Sequence, residues 1–118
     1  MTANLIYHVA ERAHWRDALA RGAYDRSTRE QSLEEVGFIH CSTPAQVRGV
    51  LDRYYEGVDD LVVLTIDVDR FDDELRYEPG HGGAELFPHL YVALPVSAVS
   101  SVTDVSELDA LLDGAGGE

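Results

Sequence analysis

The chain has 118 residues, of which 45% are hydrophobic, and its 22 acidic and 9 basic side chains give a formal charge of −13. That length suits one domain with a core of its own, and no apolar run approaches the roughly 18 residues of a membrane-spanning helix. The charge is uneven: residues 1–50 hold six arginines and six acids, whereas residues 51–118 hold three arginines and sixteen acids. Such an excess opposes binding to DNA, RNA and anionic membranes, which reward cations, and it also favours solubility. A small anionic ligand is therefore expected only against the first half. The single cysteine, Cys41, excludes an internal disulfide, and a reducing, cytoplasmic setting is the expectation. Met-Thr-Ala-Asn leads into a strand-like run without a basic and then apolar stretch, so no secretory leader is expected.

In chain order, Leu5-Ile6-Tyr7-His8-Val9 predicts a strand. Residues 12–21 predict a helix with Ala13, Trp15, Ala18 and Leu19 inward and Gly22 as its stop. A polar loop spans Asp25 to Gln31, and Ser32 caps a short turn through Glu35 that ends at Gly37. Phe38 to Cys41 is a second short strand. Thr43-Pro44-Ala45-Gln46 has the form of a capping box with proline at the first helical position. The helix is expected to reach about Tyr55, with Val47, Val50, Leu51 and Tyr54 inward and Gly57 closing it. Leu61 to Ile66 is nearly all apolar and suits a central strand covered on both faces. Leu75–Tyr77 before a turn at Pro79-Gly80, then His89–Val92 and Val99–Val102, are further strand candidates. Ser106 caps a last helix through Leu112, and Gly114 to Glu118 is expected to fray. Strands and helices mix without strict alternation, which makes the class α+β.

Five histidines and their neighbours carry the chemistry. Strand alternation sets His8 opposite Tyr7 and Val9, and groups His40 with Phe38 rather than with Cys41. An adjacent Cys-His nucleophile is therefore geometrically poor, and Cys41 reads as a small core hydrophobe. Each histidine is either a satisfied structural group or a pocket group that titrates near neutrality. Ser42 is either an anion-holding hydroxyl at a helix start or a turn residue. Glu85 and His89 flank Phe87-Pro88 and are either an acid/base pair or a solvated carboxylate beside a backbone-capping imidazole. His8, His40, His81, His89 and Glu85 contain enough ligands for zinc or iron, but at no spacing typical of a metal motif.

Ile6-Tyr7-His8, Trp15, Gly37-Phe38-Ile39-His40-Cys41-Ser42-Thr43, Gln46-Val47, Asp60-Leu61-Val62, Leu75-Arg76-Tyr77-Glu78 and Glu85-Leu86-Phe87-Pro88-His89-Leu90-Tyr91 together resemble the family known as domain of unknown function 952, over roughly residues 4–103. After Tyr91 the chain reads Val92-Ala93-Leu94-Pro95, where the family usually has glycine and proline. The resemblance implies an ADP-ribosyltransferase-like fold, a split and curved β-sheet with flanking helices, over residues 1–105, followed by a short helix and tail over 106–118. It implies NAD or a related nucleotide as ligand. His8 would then hold a ribose hydroxyl, His40 would line the nicotinamide end, and Glu85 would stabilise charge developing on the ribose. Ser42, His89 and Tyr91 would complete the nucleotide site, with Arg12 and Arg29 nearest the pyrophosphate. The alternatives are a non-catalytic module that binds a small ligand in the same cleft, and a metal-dependent enzyme using His8, His40 and His89. No nucleic-acid or membrane partner is expected.

Overall fold

The computed structural model describes residues 4–28, 31–80 and 83–116. Its strands are β1 (Leu5–Glu11), β2 (Ala23–Tyr24), β3 (Ile39–His40), β4 (Leu61–Asp67), β5 (Leu75–Pro79), β6 (Leu86–Leu90), β7 (Leu94–Pro95) and β8 (Val99–Asp104). Among the described residues the α-helices are α1 (Arg12–Arg21), α2 (Leu33–Val36), α3 (Val47–Tyr54) and α4 (Leu108–Gly116). The class is α+β, with three antiparallel sheets ordered β1-β4-β8, β3-β6-β5 and β2-β7. No helix among the described residues is long and apolar enough to cross a membrane.

The apolar run in β4 lies at the centre of its sheet, as its composition requires. Residues opposite one another in an antiparallel pair share a face. Ile6, His8 and Ala10 of β1 therefore sit with Ile66, Leu64 and Val62 of β4. That face packs on Trp15, Ala18, Tyr24, Ile39, Leu90 and Leu94. The other face puts Tyr7, Val9 and Val63 against Val47 and Val50 of α3 and Leu108 and Leu112 of α4. Val62, Val63, Leu64 and Ile66 are fully buried, and each contributes about 1.5–3 kcal/mol relative to exposure.

The two larger sheets meet at one point. The Tyr7 N–H donates to the Ser42 carbonyl and the Ser42 N–H to the Tyr7 carbonyl, both at 2.7 Å. On the other edge of this segment, the ladder of β3 to β6 ends at Pro88. In an antiparallel strand a residue's N–H and C=O point toward the same neighbour. The Pro88 carbonyl accepts from the Cys41 N–H at 2.9 Å, so its missing N–H faces the same side. The ladder between β3 and β6 has no further donor there, and the chain crosses at Ser42 to β1.

Several boundaries differ from the sequence reading. The expected capping box at Ser32 is present: the Glu35 N–H donates to Ser32 Oγ at 3.2 Å, the Ser32 N–H donates to Glu35 Oε1 at 2.8 Å, and Gly37 ends the turn at φ 101°. The box at Thr43 is half made. Thr43 N–H donates to Gln46 Oε1 at 3.1 Å, but α3 begins only at Val47. The Gln46 amide is drawn instead to the edge of β6, where it donates to the Leu86 carbonyl at 2.7 Å and to Glu85 at 3.0 Å. α3 ends at Tyr54, with Tyr55 as its C-cap, ahead of Gly57, and Tyr54 faces out. In α1 the buried stripe runs between Trp15 and Ala18, which leaves Leu19 at its exposed margin and Ala13 on the far side. Asp104, rather than Ser106, caps the turn before α4: its side chain accepts from the Ser106 N–H at 2.9 Å. α4 runs on through Gly116 where fraying was expected, and residues 117–118 lie outside the described residues.

Candidate functional site

A cavity of about 510 Å³ opens where β1 and β3 part. His8 and Val9 of β1 form one side and Phe38, His40 and Ser42 around β3 another. The loop residues Ser27, Thr28 and Gln31, with Val50, Tyr54 and Tyr55 at the end of α3, close it. The volume falls within the roughly 300–1,000 Å³ common among small-molecule sites.

His8 is buried and engaged at both ring nitrogens. A carbonyl can only accept, so Nδ1, 2.6 Å from the His40 carbonyl oxygen, carries the proton. The neutral ring then accepts at Nε2 from the Tyr24 hydroxyl at 2.9 Å. The Tyr24 ring meets the imidazole edge-on at 5.1 Å. Burial lowers the His8 pKa to about 4, against a partial rise from the bond to His40. The ring is therefore neutral at physiological pH, and its hydrogen bonds tie β1 to β3 through His40 and to β2 through Tyr24. Burial likewise pushes the Tyr24 phenol up, so it stays a donor.

On the other wall, His40 is half-buried, its ring tilted against Phe87 at 5.2 Å and His89 at 5.4 Å. Phe38 stacks on His89 with ring centroids 4.0 Å apart and 16° between planes. His89 Nδ1 donates to Glu78 Oε1 at 2.9 Å, and the Tyr91 hydroxyl donates to the same oxygen. Those two bonds hold the Glu78 carboxyl below its usual range, Tyr91 contributing most. The Arg76 guanidinium lies 4.7 Å over the Tyr91 ring. Behind Phe38 there is thus an ordered chain of groups that fixes the aromatic wall.

The residues named from sequence divide accordingly. His8, His40 and Ser42 line one cavity. His89 does not; it sits one ring behind, covered by Phe38 and bonded to Glu78 rather than to Glu85. Tyr91 is likewise behind the wall. Glu85 is exposed and bonded to Gln46, because β6 begins at Leu86 and leaves it in the preceding turn. Arg12 lies off the cavity wall, where Asp60 and Asp104 hold its guanidinium at 2.7 and 2.5 Å. Arg29, and with it His81 of the metal reading, lies outside the described residues. Among the described residues no group of three or more His, Cys, Asp or Glu side chains is placed to hold a metal ion. Cys41 packs in the core, and burial pushes its thiol up to about 12. Sequence reasoning missed Tyr24, Glu78 and the wall residues Ser27, Thr28 and Gln31. Their signals were a lone tyrosine after a helix stop, a carboxylate on a strand and a polar loop, none distinctive by itself.

A family profile described as protein of unknown function (DUF952) matches residues 9–102, which include every cavity-lining residue except His8. The chain belongs to the DUF952 family. Protein CC0527 from Caulobacter crescentus is similar in fold and sequence: its crystal structure superposes with a TM-score of 0.74 at 35% identity, covering 85% of this chain and 84% of that one. The solution structure of CC0527 gives a TM-score of 0.71 at 34% identity, covering 85% and 83%. No protein of curated function matches this DUF952 chain.

Proposed function

We propose that this DUF952 protein is a binding module for an uncharged, ring-bearing ligand of nucleoside size, held in the cavity between His8 and His40. The carrying observation is the wall itself. Among its described residues none is Asp, Glu, Lys or Arg, His8 is held neutral by burial, and Phe38, Tyr54 and Tyr55 supply aromatic surface beside the hydroxyls of Ser27, Thr28 and Ser42. Such walls stack planar rings and select them by a few hydrogen bonds.

A second reading, ADP-ribosyl transfer on NAD, is favoured by the sheet. The order β8-β4-β1, the single Tyr7–Ser42 bridge and then β3-β6-β5 supports the resemblance to the split sheet of the ADP-ribosyltransferases, with His8 and His40 on its first two core strands. The residues fit only part of that cofactor. A nicotinamide or a ribose suits the uncharged wall. A pyrophosphate wants cations; Arg12 is already committed to two carboxylates elsewhere, and Arg29, the other candidate, lies outside the described residues. Transfer chemistry also wants a carboxylate beside the ribose, and the Glu85 side chain bonds Gln46 outside the cavity. Binding is therefore the better supported function, and transfer the lesser.

The test is a thermal-shift and calorimetric screen of the four common ribonucleosides, nicotinamide, NAD and ADP-ribose. A ligand at 100 times its dissociation constant adds about 2.7 kcal/mol of stability. Stabilisation by a nucleoside or nicotinamide, with NAD no tighter, is the expected result. Stabilisation by NAD and ADP-ribose alone would replace this reading with the second one.

A further inference from the structure

Phe38 stands just after Gly37, whose φ of 101° ends α2, and just before β3, whose pairing with β6 begins only at Ile39. The ladder therefore does not fix it, and its half-buried ring takes its orientation from the rings behind it. That ring lies on the cavity wall and, away from the cavity, rests on two others. It is nearly parallel to His89 at 4.0 Å and tilted against Tyr91 at 5.4 Å. One atom holds both of these supports: Glu78 Oε1 accepts from His89 Nδ1 at 2.9 Å and from the Tyr91 hydroxyl. The second nitrogen of His89, Nε2, is buried with no hydrogen-bond partner among the described residues, so the bond to Glu78 is what sets the rotation of that ring. The Tyr91 N–H donates to the Glu74 carbonyl at 2.7 Å, which pins Tyr91 beside the start of β5.

We propose that Glu78 is a positioning residue for the cavity, holding His89 and Tyr91 so that the Phe38 ring presents a fixed plane on which the ring of the ligand stacks. The proposal rests on the binding reading above and deepens it by naming the surface that takes the ring. A side chain that must be immobilised on binding costs affinity, whereas one already held by its neighbours costs less. A well-oriented aromatic pair is worth up to roughly tenfold in affinity beyond the area it buries. Glu78 is not on the cavity wall, so its carboxylate acts through Phe38 and not by touching the ligand.

Glu78→Ala and Phe38→Leu, singly and together, test this against the wild type. The two readouts are calorimetric affinity for the four ribonucleosides and nicotinamide, and the NMR shifts of the Phe38 ring protons without ligand. In Glu78→Ala those protons should lose the displacement that the His89 stack produces, and affinity for the best-binding probe should fall by about five- to tenfold. Glu78→Gln, whose carbonyl oxygen still accepts both bonds, should keep both readouts near the wild type. With Phe38→Leu already in place, Glu78→Ala should cost no further affinity, because no ring is left to hold. Tyr91→Phe removes one of the two bonds and should show the same changes on a smaller scale, and it carries the test if Glu78→Ala does not fold. Unmoved Phe38 shifts, unchanged affinity, or equal losses from Glu78→Ala with and without the Phe38 ring would overturn the proposal and leave the binding reading standing. Failure of the wild type to bind any of the probes would overturn that reading, and the proposal with it.

Discussion

Lowering the pH should destabilise this protein through His8 before its carboxylates titrate. The ring takes up a proton with an ordinary pKa of 6.5 when unfolded but only at about 4 when buried. The unfolded chain therefore binds more protons in that window, and the stability due to His8 is fully present above about pH 6.5 and lost as pH falls toward 4. The gap between the two values corresponds to about 3 kcal/mol, of which about 2 kcal/mol is lost between pH 7 and pH 5. That is a large share of the total stability of about 5–15 kcal/mol typical of a domain. Urea unfolding at pH 7, 6 and 5 measures it, with His8→Gln as reference, since glutamine can still donate to the His40 carbonyl but does not titrate. The wild type should lose about 2 kcal/mol more than His8→Gln over this range. Parallel pH profiles, or an NMR titration placing the His8 pKa near 6.5, would refute the reasoning, because the ring would then not be buried and doubly bonded.

Tyr24→Phe should cost about 1–3 kcal/mol, since it leaves His8 Nε2 as a buried acceptor without a donor; a change under 0.5 kcal/mol in urea unfolding would show that the bond contributes nothing. Phe38→Ala should cost less than the roughly 3–5 kcal/mol of a fully buried phenylalanine, because Phe38 is half-buried and stacked on His89. It should weaken ligand binding more than it weakens folding, and the opposite order would make Phe38 a core residue. Cys41 should react with a thiol reagent at pH 8 only as fast as the protein unfolds, since burial pushes the thiol to about 12; rapid stoichiometric labelling of the native protein would contradict this.

The strands that could be read from sequence were those whose composition alone decides their place. Leu61–Ile66 is apolar at every position but Thr65, and only a strand covered on both faces takes such a run. Ser32 and Gly37 marked a turn because capping depends on local chemistry alone. The two-residue strands β2 and β7 left no period to detect, and they exist through pairing with each other. At the site, alternation placed His40 with Phe38 and turned Cys41 into the core. It could not find the partner of His89, because Glu78 reaches it from the neighbouring strand, opposite Phe87 and diagonal to the histidine. Glu85 looked closer because it is closer along the chain, but the turn before β6 sends it outward. Arg12 illustrates the same limit. Its place in the arginine-bearing first half suggested a ligand contact, whereas Asp60 and Asp104, distant in sequence, are the carboxylates that hold it.

The central claim is that the cavity between His8 and His40 takes an uncharged ring-bearing ligand. The most direct measurement is an amide NMR titration of the isotope-labelled protein with each of the four ribonucleosides and nicotinamide. The account predicts saturable shifts, for at least one of them, at Ser27, Phe38, His40, Ser42 and Tyr55, with Glu85 and the Arg12–Asp104 pair unmoved. Saturable shifts centred away from those cavity residues, or no saturable shift with any of the five compounds, would contradict it.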